Sequence, residues 1–179
     1  GHGRADRVES DVKAAVFLIG DAVSPDNKDQ GYFVRRLLRR GITAANKLRP
    51  GTAISSFVPG VVTAYKEQYP ELVEKQTDII KQIDAEQSRF DITLHRGIKE
   101  LERFAGDGSI TAQDTFQLVT TYGFPLELII EEAGERGIKQ IDIEGFKELL
   151  KQHQDLSRSG SEQKFKGGLA DTSEKTTRL

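Results

Sequence analysis

The feature that most restricts the possible folds of this chain lies between Pro70 and Phe104. Across it Leu72, Ile79, Ile80, Ile83, Phe90, Leu94, Ile98 and Leu101 recur at the three- and four-residue steps of a helix with one apolar face. Pro70 suits a first helical position, where its missing N–H has no intrahelical partner to lose. At 1.5 Å per residue the predicted helix is roughly 50 Å long. A stripe of that length has to be covered, so the shorter segments around it are expected to pack on it as a core. Gln87 falls where the stripe should continue between Ile83 and Phe90, which argues against an uninterrupted coiled-coil seam.

The flanking segments are also helical in pattern. Val8, Val12, Ala15, Val16 and Ile19 give one apolar face from Arg4 to about Gly20. Asp21 to Gln30 follows as a loop, with turn residues at Ser24-Pro25-Asp26-Asn27 and Asp29 as a cap for the next helix. A shorter helix is expected over Ser55 to Gln68, although Pro59-Gly60 interrupts its pattern. Gly106-Asp107-Gly108 ends the long helix, Thr111 begins another through Tyr122, and Pro125 starts one that ends near Gly137. Ile138 to Ile141 reads as a short extended piece, and Asp142 caps a last helix carrying Phe146, Leu149 and Leu150. The expected architecture is all-α, with at most one very short strand pair. Residues 4–68 form an N-terminal helical unit, 69–156 a C-terminal one, and 157–179, rich in Ser, Gly, Lys and Glu, a linker. Residues 1–3 read as a cloning remnant, and with no Met anywhere the chain is expected to be a piece of a longer protein.

Composition removes several classes of function. With no Cys there is no disulfide, thiolate metal site or cysteine nucleophile. No apolar run approaches the roughly 20 residues of a membrane span, so a cytoplasmic setting is expected. His95 and His153 lack neighbours at metal-ligand spacing, and Ser55, Ser56 and Ser88 lack the turn that presents a serine nucleophile. No phosphate-cradling glycine loop is present. Neither a catalytic site, a metal site nor a cofactor is therefore expected in this chain.

The segment from Phe33 to Ile42 carries the strongest chemical signal. A helical step of about 100° places Phe33, Val34, Leu37 and Leu38 on one arc and Arg35, Arg36, Arg39 and Arg40 on the opposite one. Four permanent charges on one face suit phosphate oxygens. They equally suit a solvated face paired with acidic neighbours. The net charge is −2, but residues 1–49 hold ten Lys and Arg against six Asp and Glu, so the positive surface is local.

The run Gly31-Tyr32-Phe33-Val34-Arg35-Arg36-Leu37-Leu38-Arg39-Arg40 resembles the arginine-rich helix that follows the catalytic domain of alanine–tRNA ligases. Arg7 to Pro25, with Asp11, Ala14-Ala15, Phe17-Leu18-Ile19 and Asp21, is similar to the family's preceding helix and loop. Phe90 with Thr93-Leu94 and Arg96-Gly97 resembles a family segment, as does Thr121-Tyr122-Gly123-Phe124-Pro125-Leu126-Glu127-Leu128. Phe165-Lys166-Gly167-Gly168-Leu169-Ala170-Asp171, continuing to Thr177-Arg178-Leu179, is similar to the stretch before the family's editing domain. Four such segments in order, besides the arginine-rich run, are specific where any one would be weak.

The resemblance implies a helical tRNA-recognition segment lying between catalytic and editing domains of a parent that attaches alanine to tRNA with ATP and Mg²⁺. It implies binding of the tRNA acceptor stem by a segment that is monomeric and inactive alone, and detection of a G·U pair near the stem's end. The guanine amine of such a pair projects into the wide minor groove of A-form RNA, where a reader has to present an acceptor. The family's loop Asn falls on Asn27 or Asp29, depending on alignment, and Thr120 stands where the family has Asp. Gln30 stands where the family usually has Arg. The tRNA-binding set implied is Asn27, Asp29, Arg35, Arg36, Arg39, Arg40, Thr120 and Tyr122. The competing expectation is a helical protein-interaction module that offers the long amphipathic helix to a partner.

Overall fold

The computed structural model describes residues 2–168. Among them are seven α-helices and one pair of two-residue parallel strands. The all-α expectation, including the short strand pair, holds. Helix α1 spans His2–Gly20 and α2 spans Asp29–Leu48. A 3-10 turn, Ile54–Phe57, leads into α3, Val58–Tyr65, with Pro59 in its first turn. The sequence pattern suggested one helix from Ser55 to Gln68; proline is tolerated only in a first turn, so the α-helix begins later. Helix α4, Glu71–Phe104, has the expected length, with Pro70 just outside its start.

Strand β1, Ser109–Ile110, pairs in parallel with β2, Gln140–Ile141, aligning Ser109 with Gln140 and Ile110 with Ile141. Between them lie α5, Ala112–Tyr122, and α6, Leu126–Glu135; α7, Ile143–Gly168, follows. Thr111 caps α5 in a reciprocal pair: its Oγ1 accepts from the Asp114 N–H at 3.1 Å, and its own N–H donates to Asp114 Oδ2 at 3.0 Å. Asp142 caps α7 through the Gly145 N–H at 2.9 Å. Caps of this kind contribute about 1 kcal/mol each. Asp29 does not cap α2: that position belongs to Lys28, and Asp29 is the first helical residue, at φ 49°.

The stripe on α4 lies at the centre of the core. Ile79, Ile83, Phe90, Leu94 and Leu101 are essentially inaccessible and share one cluster with Val12 and Val16 of α1, Val34 and Leu38 of α2, and Leu118 and Ile129 beyond it. This cluster runs across the sequence boundary expected near Gln68. Gln87 interrupts the stripe for a definite reason: its Oε1 accepts from the Ile54 N–H at 3.0 Å and its Nε2 donates to the Thr52 carbonyl at 2.9 Å. It satisfies buried backbone on the loop before α3. Gly97 allows the Phe124 ring to lie on α4, since a Cβ there would come within 2.3 Å of it.

Two further expectations need correction. Phe33, assigned to the buried arc of α2, is 43% exposed and lies under the Arg36 guanidinium at 5.1 Å. It sits at the edge of the arc, where cation–π contact replaces burial. The last helix continues past Leu156, where a linker was expected, to Gly168. Residues 151–158 are nonetheless exposed, consistent with the scarcity of apolar side chains there. The segment Leu169 to Leu179 lies outside the described residues.

Candidate nucleic-acid interface

Helix α4 carries a carboxylate on its inner side. Glu86 is fully buried, three residues after Ile83 and four before Phe90. Arg39 reaches its Oε1 from Nε at 2.9 Å and from Nη2 at 2.8 Å, and Arg35 Nε lies 3.1 Å from the same oxygen. Arg89 Nη2 approaches Oε2 at 3.5 Å. Arg39 also lies over the Phe90 ring at 4.9 Å and donates from Nη1 to the Gly123 carbonyl at 2.6 Å. Gly123 closes α5 at φ 69°, a conformation glycine adopts without strain, and a Cβ there would collide with the Arg39 guanidinium. Burial lowers the Arg39 pKa and Glu86 opposes that shift; an arginine keeps its charge under such a shift.

The other two arginines of α2 also meet carboxylates. Arg36 donates to Glu127 of α6 at 2.7 Å, and Arg40 lies 3.5 Å from Asp11 of α1. Burial raises the Asp11 carboxyl above its ordinary range, with Arg40 and Arg7 pulling it back. Each arginine of the cluster thus has an acidic neighbour within the chain, the second of the two sequence readings of this face.

A cleft of about 290 Å³ opens between the start of α2, the middle of α4 and the turn from α5 to α6. It brings together six of the eight residues singled out from sequence: Asn27, Arg35, Arg36, Arg39, Thr120 and Tyr122. Asn27 Oδ1 accepts from Arg35 Nη1, which orients the amide on one wall. On the other wall the Thr120 hydroxyl donates to the Phe116 carbonyl at 2.7 Å, so its remaining lone pairs can only accept. Asp29 and Arg40 lie outside this cleft. Arg40 borders a small crevice beside Lys47 and Glu132 on another side of α2. Of the two alignments of the loop, the geometry brings Asn27 to the cleft.

Arg89 and Thr93 line the cleft and Glu86 pairs with its arginines; none of the three was assigned to the binding set from sequence. Glu86 had a readable signal, because its spacing to Ile83 and Phe90 puts it on the inner arc of α4. Among the described residues no group of three or more His, Cys, Asp or Glu is arranged to hold a metal ion. His95 is exposed, and His153 stacks edge-on against Phe116 at 5.5 Å between centroids. No helix among the described residues is long and apolar enough to cross a membrane.

Against this geometry, the description of the tRNA synthetases of class II (A) matches residues 5–178. The chain belongs to this class II tRNA synthetase family. Alanine–tRNA ligase of Borreliella afzelii is 42% identical over 183 residues, covering 98% of this chain and 31% of the relative. The enzyme of the same name from Treponema pallidum is 39% identical over 93% of the chain, and that from Lactococcus lactis 39% over 83%. The chain spans about a third or less of the length of these curated relatives. Within the synthetase family, then, it corresponds to a portion in which the cleft and its arginines lie.

Proposed function

We propose that the cleft binds the acceptor stem of tRNA as part of an alanine–tRNA ligase, with its minor-groove edge between Asn27 and Thr120. The observation that carries this reading is the pairing of charge and polar readers in one place. Among the described residues, four guanidinium groups, those of Arg35, Arg36, Arg39 and Arg89, meet two carboxylates, Glu86 and Glu127. The surplus positive charge draws a polyanion, while Asn27, Thr120 and Tyr122 offer the neutral groups that base and sugar edges require. Arg35 and Arg36 flank the edge, and Arg39 braces the cleft floor.

Thr120 accepts a hydrogen bond from the exocyclic amine of a guanine whose partner leaves that amine unpaired. Without a formal charge the bond is weaker than a carboxylate's. The parent activates alanine with ATP and Mg²⁺ in this reading. The described residues include no metal-holding cluster and no glycine-rich phosphate loop, so that chemistry is not assigned to them. The long helix is not a partner surface in this reading, since its apolar stripe is spent on the chain's own core.

The test is binding of the chain to an alanine-tRNA acceptor-stem hairpin carrying G·U or G·C at one position, at two salt concentrations. Salt-sensitive binding that favours G·U is the expected result. Thr120→Asp is expected to widen that preference by roughly tenfold, about 1.4 kcal/mol, within the range of a good base contact. Absence of binding at low salt would overturn the acceptor-stem reading; unchanged discrimination in Thr120→Asp would remove Thr120 from it.

A further inference from the structure

The arginines of α2 are poorly placed to neutralise phosphates, because each already faces a carboxylate inside the protein. Arg35 and Arg39 share Glu86, Arg36 holds Glu127, and Arg40 faces Asp11. The side chains of Arg35 and Arg39 are only 14% exposed. For them to bind a phosphate an existing ion pair has to weaken, and that cost offsets the free energy gained when the nucleic acid releases its condensed counterions.

Helix α4 carries two further arginines, the first on the rim of the same cleft and the second beyond it along the helix. Arg89 lines the cleft and is 61% exposed. Among the described residues its one ion pair is the 3.5 Å approach to Glu86, whose other oxygen serves Arg35 and Arg39. Arg96 follows seven residues later, about 20° around the helix and roughly 10 Å along it. It is exposed and has no carboxylate within ion-pair distance among the described residues. Glu100, four residues further along the helix, is taken by Arg103 at 2.6 Å. Thr93, between the two arginines, lines the cleft, and its hydroxyl is turned back to the Phe90 carbonyl at 3.1 Å.

We infer that Arg89 and Arg96 form a track on α4 for the phosphate backbone of an RNA duplex whose minor groove faces the cleft. The inference rests on the acceptor-stem reading and adds to it: backbone affinity comes from α4, whereas the arginines of α2 set the geometry of the readers. Two exposed cations in line along one helix, the first beside the polar readers and the second a further two turns away, fit a continuous strand of phosphates. An acidic peptide has no counterpart for the readers.

The decisive experiment follows binding of the 179-residue chain to the acceptor-stem hairpin across a salt series. Variants are Arg89→Ala, Arg96→Ala, their double, Arg89→Lys and, as a comparison, Arg40→Gln. Each alanine variant is expected to lower the slope of log K against log salt by about one, equally for G·U and G·C stems. A fourfold rise in salt then costs each variant about fourfold less affinity than it costs the original chain. Arg89→Lys keeps the slope, and Arg40→Gln leaves it unchanged while lowering the melting temperature. An unchanged slope in the folded double variant, with the original chain still binding, overturns the track alone. Failure of the original chain to bind overturns the acceptor-stem reading and the track with it. An acidic peptide of matching charge that displaces the hairpin at equal concentration overturns the assignment to RNA.

Discussion

Replacing Glu86 by Gln removes one charge and almost no volume from the most buried ionic site described. Its carboxylate is inaccessible, with three guanidinium groups between 2.8 and 3.5 Å. In the variant, Arg35 and Arg39 remain close to each other, largely buried, facing a neutral amide. Breaking a buried ion pair from one side costs about 3–5 kcal/mol, because the remaining charge keeps its desolvation cost without its partner. For a chain of this size each kcal/mol moves the melting temperature by roughly 2–4 °C, so a fall of about 6–20 °C is expected. Lys147→Ala, which breaks an exposed pair with Glu144 at 2.8 Å, is the control and should cost under about 1 kcal/mol. Thermal unfolding followed by circular dichroism separates the two. Adding Arg39→Met to Glu86→Gln should restore part of the loss, since the second variant removes a stranded charge. If Glu86→Gln melts within a few degrees of Lys147→Ala, the claim that this carboxylate holds the arginine cluster is wrong.

Other elements give independent outcomes. Gly97→Ala gains helix propensity of about 1 kcal/mol but places a methyl against the buried Phe124 ring. Overpacking of this kind costs about 1–3 kcal/mol, so net destabilisation by urea unfolding is expected, together with a changed tRNA-stem affinity because Phe124 borders the cleft. Gln87→Leu completes the apolar stripe yet leaves the Ile54 N–H without its acceptor; a loss of about 1–3 kcal/mol is expected, and a gain in stability would refute the role given to Gln87. Hydrogen bonds from Lys47 and Arg4 hold the Glu135 carboxyl below its ordinary pKa. Its contribution is thus present above the ordinary carboxylate pKa and lost as pH falls through the lowered one. Glu135→Gln should be less stable than the original near neutrality and converge with it in acid; parallel stability curves down to about pH 3 would refute the linkage.

Most of the fold was legible because its signals are local. Apolar periodicity located α1, α2 and α4, and side chains with definite capping chemistry, Thr111 and Asp142, located the starts of α5 and α7. Local reasoning failed where a neighbour decides. Phe33 has the spacing of a core residue but lies at the edge of the arc beneath Arg36. Gln87 looked like a break in a stripe, and its purpose depends on backbone atoms more than thirty residues away. The arginine face of α2 was visible as charge, but the identity of its partners was not, since Glu86, Glu127 and Asp11 come from three different helices. The meeting of Asn27 and Thr120 was legible only through family resemblance, because more than ninety residues separate them and no periodicity links them.

The walls of the cleft belong to parts of the chain that are distant in sequence, and ion pairs join them. Arg36 pairs with Glu127, Arg7 with Glu131, Lys47 with Glu132 and Glu135, and Arg4 with Glu135. Most of these contacts are partly exposed to solvent, where each contributes little and salt screens it. Glu132 and Glu86 differ: both carboxylates are buried, one held by Lys47 and Arg136, the other by Arg35 and Arg39. Buried pairs are screened far less than exposed ones. If Arg89 and Arg96 hold phosphates as proposed, raising salt removes those contacts while the two buried carboxylates keep their partners and with them the spacing of Asn27 and Thr120. Under that division, affinity for a stem falls steeply with salt but the ratio of affinities for two stems does not. A ratio that collapses in step with affinity would mean that the exposed pairs, not the buried ones, set the width of the cleft.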